Sequence, residues 1–225
     1  MILIIGAMDE EVNALKACMS TVEEKLFQNV QLFEGTLSGK QVVVARSGVG
    51  KVNAAYTATT LIHHCNPELV INIGSAGGLK ENQTVGDIVV ATKLQYHDLD
   101  IGPETPTDPR FIFTPSVKHG RQTTHLLSEL EMKYHEGLIV SGDQFITKHQ
   151  SQFPVIAKNF PEAICVEMEA SAIAAVCERT ETDFIVLRSL SDVTHVEGND
   201  MDFETYLNLA SEKSALICTE YLKTL

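Results

Sequence analysis

The stretch AICVEMEASAIAAVCER, residues 163–179, decides the fold class. Its first four residues, Ala163 to Val166, are apolar and partly β-branched, the composition of a short buried strand. From Met168 to Arg179 alanine takes over, and the reading changes to helix. Asp183 to Leu190 (DFIVLRSL) follows as another strand.

The same interleaving appears on both sides. Met1–Ile5 and Glu68–Ile73 (ELVINI) read as buried strands, Asp9–Met19 and Gly50–His64 as helices. Val30–Leu37 and Gln41–Arg46 form a hairpin around the turn Ser38-Gly39-Lys40. Asp87–Leu94 and Glu136–Ser141 are further strands. Gly102–Arg110 contains three prolines and must be a loop. Thr114-Pro115 can start a helix running to Glu131, and Phe203–Leu225 is a long final helix. No internal repeat or low-complexity linker interrupts the pattern. These observations predict an α/β protein: one domain over residues 1–225, with a mixed twisted sheet flanked by helices.

Composition sets bounds on function. The chain has 225 residues, 44% apolar and 21% charged, and a net charge of −13 from 17 basic and 30 acidic residues. An acidic chain is a poor non-specific partner for nucleic acid or an anionic membrane, because phosphates need Lys and Arg to replace their counterions. No basic residue precedes the first apolar run, and no run approaches the roughly 18 residues of a membrane helix. Cys18, Cys65, Cys165, Cys177 and Cys218 are odd in number and widely spaced, without a CxxC pair, which predicts reduced thiols in a cytoplasmic protein. The eight histidines show no metal-ligand spacing, so neither metal nor cofactor is implied.

Ligands of open α/β sheets bind beyond the carboxyl ends of the strands. Those ends carry Gly6 to Glu11, Arg46 to Gly50, Gly74 to Gly78, Ser141 to Asp143 with Phe145 and Ile146, Glu167 to Glu169, and Arg188 with Ser191 and Asp192. Carboxylates at three of these ends exceed what turns require. GVGKVN fits neither the dinucleotide fingerprint nor a P-loop: Asn53 stands where a third glycine belongs, and Val52 follows Lys51.

GAMDEEV, SGVGKVNAA, NIGSAGG, VGDIVV, YHDLDI, SGDQFI, VEMEASAIAAVC and RSLSDV, in this order, resemble the 5′-methylthioadenosine/S-adenosylhomocysteine nucleosidases of the nucleoside phosphorylase superfamily. The resemblance runs over essentially the whole chain and implies hydrolysis of the N-glycosidic bond of 5′-thio-adenosines, with 5′-deoxyadenosine a further candidate substrate. Adenine leaves well only if N7 is protonated as the bond breaks. Asp192 matches the family's proton donor, which must be held neutral by burial; a loop cap is its alternative. Glu11 matches the base that activates water; alternatively, Glu10 and Glu11 are first-turn acids favoured by the helix dipole.

The resemblance also implies a substrate-binding set. Glu169, in the first turn of its helix, would hold the ribose hydroxyls beside Met168. Glu167 belongs to the same stretch, with a solvated or structural acid as its other reading. Arg188 and Ser75 would lie near ribose and water, with a salt bridge and a turn hydroxyl as their alternatives. Phe145 would stack on the base and the Ile146 backbone would bond its edge. Met8, Val49, Ala76, Gly77 and Ser191 complete the pocket, and Phe203 would close over the thio substituent. Ile101 matches an apolar position of a 5′ pocket that, in the family, the neighbouring subunit of a homodimer completes.

The segment after Ile101 is shorter than in many relatives, so aminodeoxyfutalosine remains open as a substrate. A phosphorylase is a second reading: Arg46 could cradle an anion, although Asp9, Glu10 and Glu11 repel phosphate there. A non-catalytic nucleoside-binding protein is a third, disfavoured because binding alone needs neither a base nor a buried acid.

Overall fold

A computed structural model describes residues 1–193 and 199–225, with side chains omitted from description over 199–204. Eleven strands form one sheet in the order β2-β3-β4-β1-β5-β11-β6-β10-β9-β7-β8. Its middle is parallel: β1 (Ile2–Gly6) lies between β4 (Lys40–Arg46) and β5 (Leu69–Asn72), and β5 pairs with β11 (Phe184–Val193). Every residue of β1 and β11 is buried: β1 is a continuous apolar run, while in β11 the apolar Phe184–Leu187 is followed by buried Arg188, Ser189, Ser191 and Asp192.

β11 is shared between two parts of the sheet. Its first residues pair with β5, its middle with β7 (Ile88–Tyr96), and its end with β6 (Ser75–Gly78). β6 continues to β10 (Ala163–Glu167), β10 to β9 (Tyr134–Ser141), and β9 back to β7. These pairings close a five-stranded barrel and leave the two-residue β8 (Ile112–Phe113), paired to β7, as the edge of that half. The mixed sheet expected from sequence is present; its closure is new.

Helices cover both faces. α2 (Lys51–Cys65) and α5 (Ala170–Arg179) bury Ala54, Ala58, Leu61 and Ile173 with Leu3, Val70 and Val186. α1 (Asp9–Cys18), α3 (Val117–Glu129) and α6 (Asn199–Lys223) cover the other face, where Val12, Leu15, Leu127 and Tyr221 meet Ile4, Ile71 and Leu187. The hairpin of β3 (Val30–Leu37) and β4 turns on Ser38 and Gly39, both at positive φ (51° and 78°), the geometry of a tight two-residue turn.

Several elements differ from expectation. β2 (Ser20–Phe27) is an edge strand whose charged, exposed residues leave no apolar alternation to read. SAGG is not a turn but β6: a side chain at Gly78 would sit 2.7 Å from Gln83 Oε1 and 3.0 Å from Leu190 Cδ1, so glycine permits the strand to pass. α4 (Gln152–Asn159) lies in a stretch for which the sequence predicts no element, and buries only Ile156. Among the described residues no helix is long and apolar enough to cross a membrane, and all five cysteines are unpaired.

Candidate active site

Glu11 is the third residue of α1, where a glutamate can fold back onto the start of its own helix. Its Oε2 accepts the N–H groups of Ala7 (2.7 Å) and Met8 (3.1 Å). Its Oε1 accepts the N–H of Ser75 (3.0 Å) and the Ser75 hydroxyl (3.4 Å). Only 2% of the residue is exposed, so Glu11 is not a solvated first-turn acid. Burial pushes its carboxyl above the ordinary range, against the pull of Arg188 and the three N–H groups. A carboxylate short of solvent is a stronger base than one in water.

Glu169 stands at the N-cap position of α5, one residue earlier than a first-turn position, because the helix begins at Ala170. Its Oε1 accepts the N–H of Gly50 at the start of α2 (2.8 Å). Glu169 is therefore held between two helix N-termini. Burial raises its pKa to about 8, the adjacent Glu167 charge adds to the rise, and Gly50 and Arg188 oppose it.

Glu167 is buried, which overturns the solvated reading. Its oxygens accept the Ser141 hydroxyl and the N–H groups of Glu169 (3.0 Å) and Ala170 (2.8 Å), and Arg188 Nη2 donates to it at 2.7 Å. Protein donors thus occupy this carboxylate, although the residue borders the cavity. Arg188 lies behind the cavity wall. It is 2% exposed, also bonds Asn72 Oδ1 (2.6 Å) and the Leu187 carbonyl (2.9 Å), and is absent from the cavity wall. The ion-pair alternative describes it: a buried guanidinium needs a carboxylate.

A cavity of about 230 Å³ gathers most of the remaining candidates. Met8, Val49, Ser75, Ala76, Gly77 and Phe145 line it, with Met168, Glu169, Ser191, Asp192 and Glu11. A narrower space of about 30 Å³ continues it past Phe145 and Asp192 to Ile146. Asp192 is 1% exposed and accepts the Ser191 hydroxyl at 3.0 Å. The wall of the larger cavity carries Glu11, Glu167, Glu169 and Asp192 but no Lys, Arg or His among the described residues. Ile101 is not on this wall either; it is 59% exposed. The Phe203 side chain lies outside the described residues.

One group of supporting residues escaped the sequence reading. Lys51 Nζ bonds both oxygens of Asp98 and lies 3.7 Å from Asp143 Oδ2. Asp143 Oδ1 accepts the N–H of Lys51 (2.8 Å), and Asp98 accepts that of Asp143 (2.9 Å). This clamp fixes the start of α2 and with it the Gly50 N–H on Glu169. The available signal was a carboxylate after each of two adjacent parallel strands, β7 and β9. Among the described residues no three metal-binding side chains converge.

A mixed α/β sheet closed into a small barrel, with acids at its strand ends, places the chain in a known class. The sequence model of the phosphorylase superfamily matches residues 1–223, and the chain belongs to that superfamily. Within it, the 5′-methylthioadenosine/S-adenosylhomocysteine nucleosidase of Staphylococcus carnosus is 39% identical, with 100% of both chains covered. The crystal structure of the nucleosidase of that name from Neisseria meningitidis, in complex with methylthio-immucillin-A, superposes with a TM-score of 0.93 at 36% identity, covering 100% of this chain and 99% of the other. The futalosine hydrolase of Helicobacter pylori is also similar, at 28% identity and a TM-score of 0.92, over 100% and 97% of the two chains. The resemblance read from the sequence is borne out.

Proposed function

We propose that this protein hydrolyses the N-glycosidic bond of 5′-methylthioadenosine and S-adenosylhomocysteine, releasing adenine and the 5-thio-substituted ribose. The observation that carries this reading is the cavity wall: four acids and no cationic side chain among its described residues. Such a wall offers no cation to hold a phosphate, whereas water needs none. Arg46, the residue that spoke for phosphate, is already paired through Nη1 with both oxygens of Asp9 (2.9 and 2.7 Å).

In the reaction, Asp192 donates its proton to purine N7 as the C–N bond breaks, and the bonding electrons leave with adenine. Glu11 takes a proton from water as its oxygen bonds to the anomeric carbon. Each proton transfer of this kind is worth about 10²–10⁴ in rate. Glu169 Oε2, left over by the bond from Gly50 to Oε1, accepts the ribose hydroxyls. Phe145 packs on the base and Met168 on the sugar. Glu167 and Arg188 serve behind this surface, holding α5 and lowering the cost of so many buried acids.

We place the protein in the cytoplasm as a homodimer. Its unpaired cysteines suit a reducing compartment. Exposed Ile101, on a chain whose own cavity it does not reach, suits a residue that serves a second copy.

The test is adenine release from methylthioadenosine in phosphate-free buffer. Turnover with free thioribose as product is expected. Strict dependence on phosphate, with a ribose 1-phosphate formed, would overturn the hydrolase reading in favour of a phosphorylase.

A further inference from the structure

Much of the site hangs on the turn that follows β9. The Ser141 hydroxyl bonds Glu167, Asp143 accepts the Lys51 N–H at the start of α2, and Phe145 lines the cavity. His97, the residue after β7, meets this turn. Its backbone N–H donates to the Ser141 carbonyl (2.9 Å). Its ring fills the place of a side chain at Gly142: a Cβ there would run into Nε2, Cε1 and Cδ2. The Gly142 N–H donates in turn to the Glu167 carbonyl (3.1 Å). The imidazole is thus wedged where β7, β9 and β10 end side by side.

Packing alone does not call for a histidine here. The residue is 5% exposed, and neither Nδ1 nor Nε2 has a hydrogen-bond partner. An apolar ring would fill the same space without stranding a donor and an acceptor. The charged groups around it are Asp98 on its own segment, Lys51 on α2, Asp143 beside Gly142 and Glu167 on β10. Burial holds the ring neutral by pulling its pKa below 6.5; Asp98 opposes this, Lys51 adds to it and Glu167 opposes it. A protonated ring would be drawn to Asp98 and repelled by Lys51, the two members of the clamp. His97 does not itself line the cavity.

We infer that His97 is a positioning residue for substrate binding. Its neutral ring holds the turn at Gly142, and through that turn it sets Phe145 and the clamp of Lys51, Asp98 and Asp143. The path from the clamp to the sugar is short: the Lys51 N–H bonds Asp143, and the neighbouring Gly50 N–H bonds Glu169. Protonated His97 competes with Lys51 for Asp98, and the nucleoside then binds more weakly. The inference rests on the nucleosidase reading.

The experiment measures KM and kcat for methylthioadenosine against pH in the wild type, His97→Ala, His97→Gln and His97→Phe. Removing the wedge lets the turn relax into the space it leaves, so His97→Ala is expected to raise KM about 10-fold or more with kcat within about threefold. His97→Gln sets a neutral polar atom near the place of Nε2, and His97→Phe fills the space without one. Both are expected to keep KM within about threefold of the wild type at neutral pH. Wild-type KM should rise as pH falls below 6.5, and both neutral variants should lose that rise. A KM of His97→Ala within about twofold of the wild type, or an acid-side rise that persists in either neutral variant, overturns the inference while leaving the nucleosidase reading intact. A wild type that releases no adenine overturns that reading and the inference with it.

Discussion

Gly74→Ala places a methyl group against the residue that activates water. A Cβ built at Gly74 falls 2.9 Å from Glu11 Oε1, 3.3 Å from Cδ and 3.4 Å from Oε2. Ordinary contact begins near 3.4 Å, so the carboxylate must retreat by about 0.5 Å. Retreat stretches the 3.0 Å bond from the Ser75 N–H toward the limit of hydrogen bonding. A bond to a charged acceptor is worth about 1.5–3 kcal/mol, and a misplacement of about 1 Å at a reacting centre costs about 10² in rate. Turnover of methylthioadenosine should fall about 10²-fold with little change in KM, since Glu169 and the base pocket are untouched. Gly74 has φ +156°, so some destabilisation will accompany the substitution. Gly39→Ala controls for it, because Gly39 is also at positive φ and has nothing within 4 Å of its Cβ position. The assay is steady-state adenine release, with thermal unfolding measured on both variants. Turnover of folded Gly74→Ala within threefold of the wild type would refute the placement of Glu11 as the base.

Other outcomes follow from the same geometry. Arg188→Met strands the buried Glu167 carboxylate and should cost about 3–5 kcal/mol of stability by denaturant unfolding; a loss under 1 kcal/mol would mean the ion pair is not holding the site. Lys51→Met frees the start of α2 and should raise KM for methylthioadenosine more than it lowers kcat, by loosening the Gly50 bond to Glu169; an unchanged KM would show that the clamp does not reach the ribose site. Stability should also depend on pH through Glu169. With a folded pKa of about 8 against an ordinary 4.5, the native state holds more protons than the unfolded chain between those values. The group's contribution is full below 4.5 and lost as pH rises toward 8, so unfolding midpoints should fall over that window. Glu169→Gln should flatten the slope, and an unaltered slope would show that Glu169 titrates normally.

Much of the architecture was legible because burial leaves a trace in sequence. ILIIG, LVI and the opening FIVL of β11 are apolar runs where strands are covered on both faces. β2 left no trace, because an edge strand needs no apolar face, and SAGG hid a strand because glycine carries no side chain to pattern. The central acids were readable from their positions after strands, with their roles supplied by family resemblance. Their environments were not. Glu11, Glu167 and Glu169 differ only in which groups surround them, and those groups include residues 50, 75 and 141, far away in the chain. The clamp of Lys51, Asp98 and Asp143 was illegible for the same reason: its members meet only once β7 and β9 are paired.

The central claim is that two acids divide the work, with Asp192 serving the leaving group and Glu11 the water. It is tested most directly by the turnover of Asp192→Asn on two substrates sharing the 5-methylthioribosyl group, one releasing adenine and one releasing p-nitrophenolate. The phenolate departs without a proton, so a proton donor is of no use to it. Adenine release should fall about 10²–10⁴-fold while p-nitrophenolate release stays within a few-fold of the wild type. An equal fall on both substrates, or wild-type release of adenine, would contradict the assignment of Asp192 as the proton donor.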